Sequence, residues 1–211
     1  MKRKYSFVMS CLFLILSSSV VFASDGVNTQ GSYVAARLGA CFLNDATLSE
    51  EGFPITGHIE YDTGIGFEAA MGYDFGFFRA EGEIGYRKND VDTFSVLGAS
   101  LAGGGDIDTL SFMANGYWEV ENQTAFTPYI IVGIGFAKVS ANDFSVGGID
   151  IGSEDDTVLA YQFGIGTGYS VTESLIIDLG WKYFVTEDPE FGDTKVEYNS
   201  HNIAIGIRYA F

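Results

Sequence analysis

Eight times between Tyr33 and Phe211 the chain runs through a segment of roughly ten residues in which every second side chain is apolar or aromatic and those between are charged, polar or glycine. That period of two belongs to strands with two unlike faces. The first segment sets Val34, Ala36, Leu38, Ala40 and Phe42 against Tyr33, Ala35, Arg37, Gly39 and Cys41. The second sets Ile65, Phe67, Ala69, Met71 and Tyr73 against Glu68, Ala70, Gly72 and Asp74, and the third Phe78, Ala80, Gly82, Ile84 and Tyr86 against Arg79, Glu81, Glu83, Gly85 and Arg87. The others run through Thr109–Glu119, Pro128–Ala137, Leu159–Tyr169, Leu175–Tyr183 and Asn202–Phe211, with Ile130, Ile165, Leu179 and Ile205 typical of their apolar faces.

Alternation alone also suits a soluble sandwich, with the apolar face inward. The connections decide between the two. Links after the second, fourth and sixth segments are short, near Gly76, Glu121–Ala125 and Val171–Glu173, whereas the other links run to about 13–20 residues. Short turns at one end, long connections at the other and an even strand number describe a transmembrane barrel. The fold class expected is therefore all-β, an eight-stranded antiparallel transmembrane barrel with short periplasmic turns and long extracellular loops.

The start of the chain agrees with export. Lys2, Arg3 and Lys4 precede an apolar run from Phe7 to Phe22, and Val21-Phe22-Ala23 supplies small residues at its end. This is a secretory leader, with cleavage expected after Ala23 and a barrel domain spanning 24–211. The run is broken by Ser10 and Ser17–Ser19 and falls short of the ~20 apolar residues of a spanning helix. No later stretch approaches that length. Beyond the leader, Cys41 is the sole cysteine, which excludes an intramolecular disulfide.

Charge narrows the partners. Without the three basic residues of the leader the chain keeps eight Lys and Arg against 28 Asp and Glu. Such an acidic chain is a poor partner for nucleic acid. The segments 43–62, 88–106, 138–156 and 186–198 hold 18 acidic residues, with Lys88, Lys138 and Lys195 their only Lys or Arg, so the outer rim is expected to be acidic. The strand faces opposite the apolar ones are balanced instead. Arg37, Arg79, Arg87, Lys182 and Arg208 stand against Glu68, Glu81, Glu83, Glu119 and Asp178.

Buried charges are tolerable when paired, so this balance points to a lumenal ion-pair network that fills a narrow barrel. An eight-stranded barrel has an interior that side chains just fill, and Gly133, Gly135, Gly164, Gly166, Gly168, Gly180 and Gly206 leave long side chains room to cross it. The alternative is a gate or ion path. The Gly-x-Gly patterns fall inside strands with no helix following, so they are not nucleotide loops and no cofactor is expected.

Thr127-Pro128-Tyr129, Gly133-Ile134-Gly135-Phe136, Leu179-Gly180-Trp181-Lys182-Tyr183-Phe184 and Gly206-Ile207-Arg208-Tyr209-Ala210-Phe211 resemble the opacity-type and OmpA-like small outer-membrane barrels. The resemblance spans the chain beyond the leader. It implies residence in the bacterial outer membrane and roles such as surface antigen, adhesin, membrane-integrity protein or narrow pore. It also implies that Phe211, with Tyr209 and Ile207, forms the signal read by the outer-membrane assembly machinery. The chain stops at its last strand, so the peptidoglycan-binding domain of some relatives is not expected.

Some small outer-membrane barrels are lipid A deacylases or acyltransferases, which use a His-x-Ser pair on the lipid-facing wall. Here the order is Ser200-His201-Asn202, and adjacent strand residues point to opposite faces. No enzyme activity is expected. Asp106-Ile107-Asp108, Glu154-Asp155-Asp156 and Glu187-Asp188 offer oxygen ligands to hard cations, but without a defined ligand-loop spacing, so no specific metal site is assigned. Asn122-Gln123-Thr124 reads as a chance glycosylation sequon. The expected partners are outer-membrane lipid, the assembly machinery and surface ligands met by the acidic loops, with the chain a monomer.

Overall fold

The computed structural model describes residues 30–44, 46–50, 53–96, 99–120, 124–146, 149–191, 194–195 and 197–211. The leader, its expected cleavage at Ala23 and Asn122 of the sequon lie outside these residues. Twelve strands follow in order: β1 (Gly31–Leu43), β2 (Ala46–Glu50), β3 (Phe53–Tyr61), β4 (Gly64–Asp74), β5 (Phe78–Val96), β6 (Ala99–Glu119), β7 (Phe126–Val146), β8 (Ile149–Ser170), β9 (Leu175–Thr186), β10 (Glu190–Phe191), β11 (Thr194–Lys195) and β12 (Asn199–Ala210).

Eight of them form the wall, in the order β1, β4, β5, β6, β7, β8, β9, β12, every neighbour antiparallel and β12 returning to β1. Closure leaves no open edge within the wall, as a strand in hydrocarbon requires. β3 adds to the outer part of β5, with Gly57 opposite Val96, and β2 adds to β3. β10 and β11 pair with each other.

Tight turns close the periplasmic end through their own side chains. Gly76 takes a φ of 102°, and its amide donates to Asp74 Oδ1 at 2.7 Å. Thr172 Oγ1 accepts from the amides of Ser174 and Leu175, and Thr124 Oγ1 accepts from Phe126. Aspartate and threonine favour such turns because a side-chain oxygen replaces the missing backbone partner.

The long connections are not the loops expected. Most of 88–106 and 138–156 is paired strand, the β5–β6 ladder running out to Val96 opposite Ala99 and the β7–β8 ladder to Val146 opposite Ile149. β6, β7 and β8 are 21 to 22 residues long, against the roughly 9–11 that cross a membrane. Register shifts interrupt the extension. One lies between Gly104 and Asp106, where Gly105 holds a φ of 143° that side-chain-bearing residues rarely adopt.

The two faces separate by environment. Leu38, Ile65, Phe112, Ile134, Phe163, Leu179 and Ile205 lie half or more exposed, the condition of a lipid-facing wall. Aromatic rings gather toward its two ends. Tyr73, Trp118, Phe126, Tyr169, Tyr209 and Phe211 mark the periplasmic side, and Tyr86, Trp181, Tyr183 and His201 lie further out. Interfacial rings of this kind anchor a barrel at its two water boundaries.

Candidate functional site

The lumen is built from the inward rows of all eight wall strands, and it has two tiers. In the outer half Ile107, Met113, Ala137, Val139, Val158, Ala160, Phe184 and Tyr198 form one apolar cluster, with Leu43 packed against it. Beneath it lie the charges. Arg37, Glu68, Arg79, Glu81, Glu83, Arg87, Asp178, Lys182 and Arg208 are each no more than 7% exposed, and the Glu119 side chain is 8% exposed.

Glu81 is the hub. Arg37 grips it with two prongs, Nη1 to Oε1 at 3.0 Å and Nη2 to Oε2 at 2.7 Å, while the hydroxyls of Tyr33 and Tyr117 donate to the same oxygens at 3.0 and 2.7 Å. Lys182 bridges Glu83 and Glu68 at 2.9 and 2.6 Å. Asn115 and Gln162 also donate to Glu83. Arg87 lies 3.7 Å from Glu68, donates to Asn202 and Ser111, and stacks on Phe184 at 4.2 Å, which ties the charges to the apolar tier.

A second group fills the periplasmic end. Arg208 pairs with Asp178 at 3.2 Å and lies within 4 Å of Asp74 and Glu119. Arg79 Nε meets Glu119 at 2.7 Å, and its guanidinium lies over Tyr117 at 4.3 Å and over Tyr33 and Tyr129 at 5.4 Å each. None of its three guanidinium nitrogens has a hydrogen-bond partner among the described residues, the Glu119 contact being an ion pair, so the ring faces take the place of acceptors. Bare glycine backbone makes the crossing possible at two points. A Cβ on Gly206 would stand 2.6 Å from Arg37 Cγ, and one on Gly166 would stand 2.5 Å from the Tyr129 hydroxyl.

The model of the outer membrane protein beta-barrel domain family matches residues 9–211. The chain belongs to that family. It is 28% identical to the outer membrane protein PagN of Salmonella typhimurium, an alignment covering 93% of this chain and 97% of that one. In fold it is similar to Neisserial surface protein A, with a TM-score of 0.57, 20% identity and coverage of 86% and 97% of the two chains. OprG of Pseudomonas aeruginosa gives a TM-score of 0.56 at 16% identity, covering 89% and 100%. The protein is thus an eight-stranded barrel of the bacterial outer membrane.

Within this family member all ten charged residues singled out from the sequence meet in one lumen. Asp74, which shares the inward face of its segment but lies outside that set of ten, joins them as a partner of Arg208. Tyr33, Tyr117 and Tyr129 alternate with the outward Val34, Trp118 and Ile130 and so take the inward face, but their role as donors and ring platforms depends on which arginine reaches them. Ile207, Tyr209 and Phe211 lie along the outside wall. Cys41 is fully buried in the lumen.

Ser200 and His201 do not form a dyad. Ser200 is buried inside, where its Oγ accepts from Asn202, while His201 lies outside against Trp181 and Tyr183 at ring distances of 5.7 and 4.9 Å. At the outer end of the wall Lys88 pairs with Asp106 at 3.0 Å, Tyr86 donates to Asp108, and Lys138 pairs with Asp155 at 2.8 Å. Asn142 donates to both Asp106 and Asp108. These outward ion pairs mark where the apolar band gives way to a hydrated, acidic rim.

Proposed function

We propose that this barrel is a surface-exposed interaction protein of the outer membrane, working through its outer rim and not through its lumen or a catalytic centre. The observation that carries the reading is the filling of the lumen: paired charges occupy its inner part and a packed apolar cluster its outer part. A filled interior turns the barrel into a rigid pedestal, and the long β5–β8 hairpins lift acidic segments well beyond the bilayer. Partners of this rim carry positive charge or reach it through divalent cations. Ile207, Tyr209 and Phe211 serve the assembly machinery, and the closed wall supports a monomer.

Two measurements test this together. Refolded protein in a planar bilayer is expected to stay electrically silent, and stable openings that change when Arg37, Glu68 or Arg208 is neutralised support a narrow porin instead. Bacteria displaying the full chain are expected to attach to host-cell or cationic surfaces, and to lose attachment when the outer hairpins are shortened. Undiminished attachment by the shortened barrel overturns the assignment to the rim.

A further inference from the structure

Beyond the bilayer the closed wall becomes a sheet with two ends. β9 stops at Thr186 and β12 begins at Asn199, close to the outer aromatic belt, while β5 to β8 run on as long hairpins. At one end of this outer sheet β5 is covered by β3, and β3 by β2. At the other end, among the described residues, no strand continues the ladder of β8 past Ala160 opposite Thr186. The last backbone bond on that side runs from the Glu187 amide to the Leu159 carbonyl at 2.9 Å. Pro189, fully buried, has no amide with which to carry the ladder on, and β10 comes beside β8 while pairing only with β11.

One hydrogen bond marks the missing neighbour. Backbone groups two residues apart on a strand face the same side, so the Thr157 amide points where the Leu159 carbonyl points, away from β7. It donates to Asp156 Oδ1 at 2.7 Å, a carboxylate standing where an adjacent strand would present a carbonyl. The edge is also acidic on both of its faces. Glu154 and Asp155 are exposed, Asp156 is half-buried, and Glu187 and Asp188 lie exposed where β9 departs. Lys138 answers only Asp155, at 2.8 Å. An edge strand invites pairing unless it is short, bulged or charged. Charge of one sign repels a second copy of the same edge and admits a strand of the opposite sign.

We infer that the edge of β8 from Glu154 to Val158 is a docking site for an extended, lysine- or arginine-rich segment of a partner protein, which adds to the outer sheet as a further strand. The inference rests on the acidic rim being the interaction surface, and it supplies the mode of recognition. Backbone bonds to Asp155 and Thr157 hold the segment, and its alternate basic side chains reach Asp155 on one face and Glu154 and Asp156 on the other.

The test uses the full barrel in phosphatidylcholine vesicles, whose surface does not itself attract a cationic probe. One probe is a short peptide in which lysine alternates with threonine and valine, carrying a photoreactive benzophenone. The other is a peptoid with the same side chains, which keeps the charge and has no backbone N–H. The peptide is expected to bind at least about tenfold more tightly than the peptoid, and to cross-link to fragments containing Glu154–Val158. Thr157→Pro keeps every charge and, because that amide faces away from β7, every β7–β8 bond, yet it should bring peptide binding down to the peptoid level. Glu154→Gln with Asp155→Asn, which leaves the backbone untouched, should weaken binding several-fold. Equal binding of peptide and peptoid overturns the strand-addition site while leaving the acidic rim as the interaction surface. Binding of neither probe overturns the site and counts against the rim as well. Unchanged peptide binding to a Thr157→Pro barrel that keeps its folded mobility on a gel overturns the site alone.

Discussion

Arg37 and Glu81 are not cross-strand partners. Register places Arg37 opposite Glu68 on β4, yet its guanidinium passes that carboxylate, 3.8 Å away, to grip Glu81 on β5 through two hydrogen bonds of 2.7 and 3.0 Å. Both members are almost wholly buried, and two tyrosine hydroxyls complete the carboxylate.

Removing one member strands the other. Arg37→Met leaves Glu81 charged in a low-dielectric interior with only tyrosine donors, and is expected to destabilise the barrel by about 3–5 kcal/mol. The double variant Arg37→Met/Glu81→Leu is expected to recover part of that loss, because no unpaired charge remains. Equilibrium urea unfolding in lipid vesicles reads both, and equal losses for the single and double variants refute the pairing as the source.

Glycines of this wall should divide by what lies above them. A Cβ on Gly166 would fall 2.5 Å from the Tyr129 ring, whereas a Cβ on lipid-facing Gly82 meets nothing nearer than 4.0 Å. Gly166→Ala is expected to cost about 1–3 kcal/mol through overpacking. Gly82→Ala should be neutral or gain up to about 1 kcal/mol, since alanine gives up less backbone freedom on folding. Reversal of that order in the same unfolding assay would show that the lumen tolerates an added methyl.

What the sequence revealed, and what it hid, follows from the range of each interaction. Which face a residue takes is a local property of an alternating strand, so Val34 outside and Arg37 inside could be read from their neighbours. Partnership is not local. Whether Arg37 meets Glu68 or Glu81 depends on the stagger of the whole barrel, and the contact of Arg208 with Asp74 joins strands separated by β1. Strand ends were hidden for another reason. Beyond the bilayer no face must stay apolar, so Lys88-Asn89-Asp90 continues β5 in a composition that reads as loop.

The lipid-facing wall carries its own test. Ile205, 58% exposed, lies in the middle of β12 and pairs with Leu38 and Leu179. Ile205→Arg places a charge near mid-membrane and is expected to cost about 2–4 kcal/mol, while Ile205→Leu should change little. The penalty should shrink in detergent micelles, where water approaches more easily. Refolding yield in vesicles against micelles measures it, and equal tolerance in both would contradict placing this face in hydrocarbon.

Arg79 offers the sharpest separation of charge from shape. It is fully buried, pairs with Glu119 through Nε alone, and lies among three tyrosine rings that accept nothing in the ordinary sense. A planar guanidinium suits such a slot because its faces are weakly hydrated and stack on rings, while a lysine ammonium is compact and strongly hydrated. If charge alone mattered, Arg79→Lys would restore most of what Arg79→Met loses. Geometry predicts otherwise: the methionine variant should lose up to about 3 kcal/mol, moderated by Arg208 lying 3.6 Å from the abandoned Glu119. Lysine should recover less than half of that loss, and unfolding midpoints of the three proteins in one lipid decide the matter. Full recovery by lysine would mean that Glu119 needs only a positive charge nearby and that the tyrosine rings contribute nothing specific.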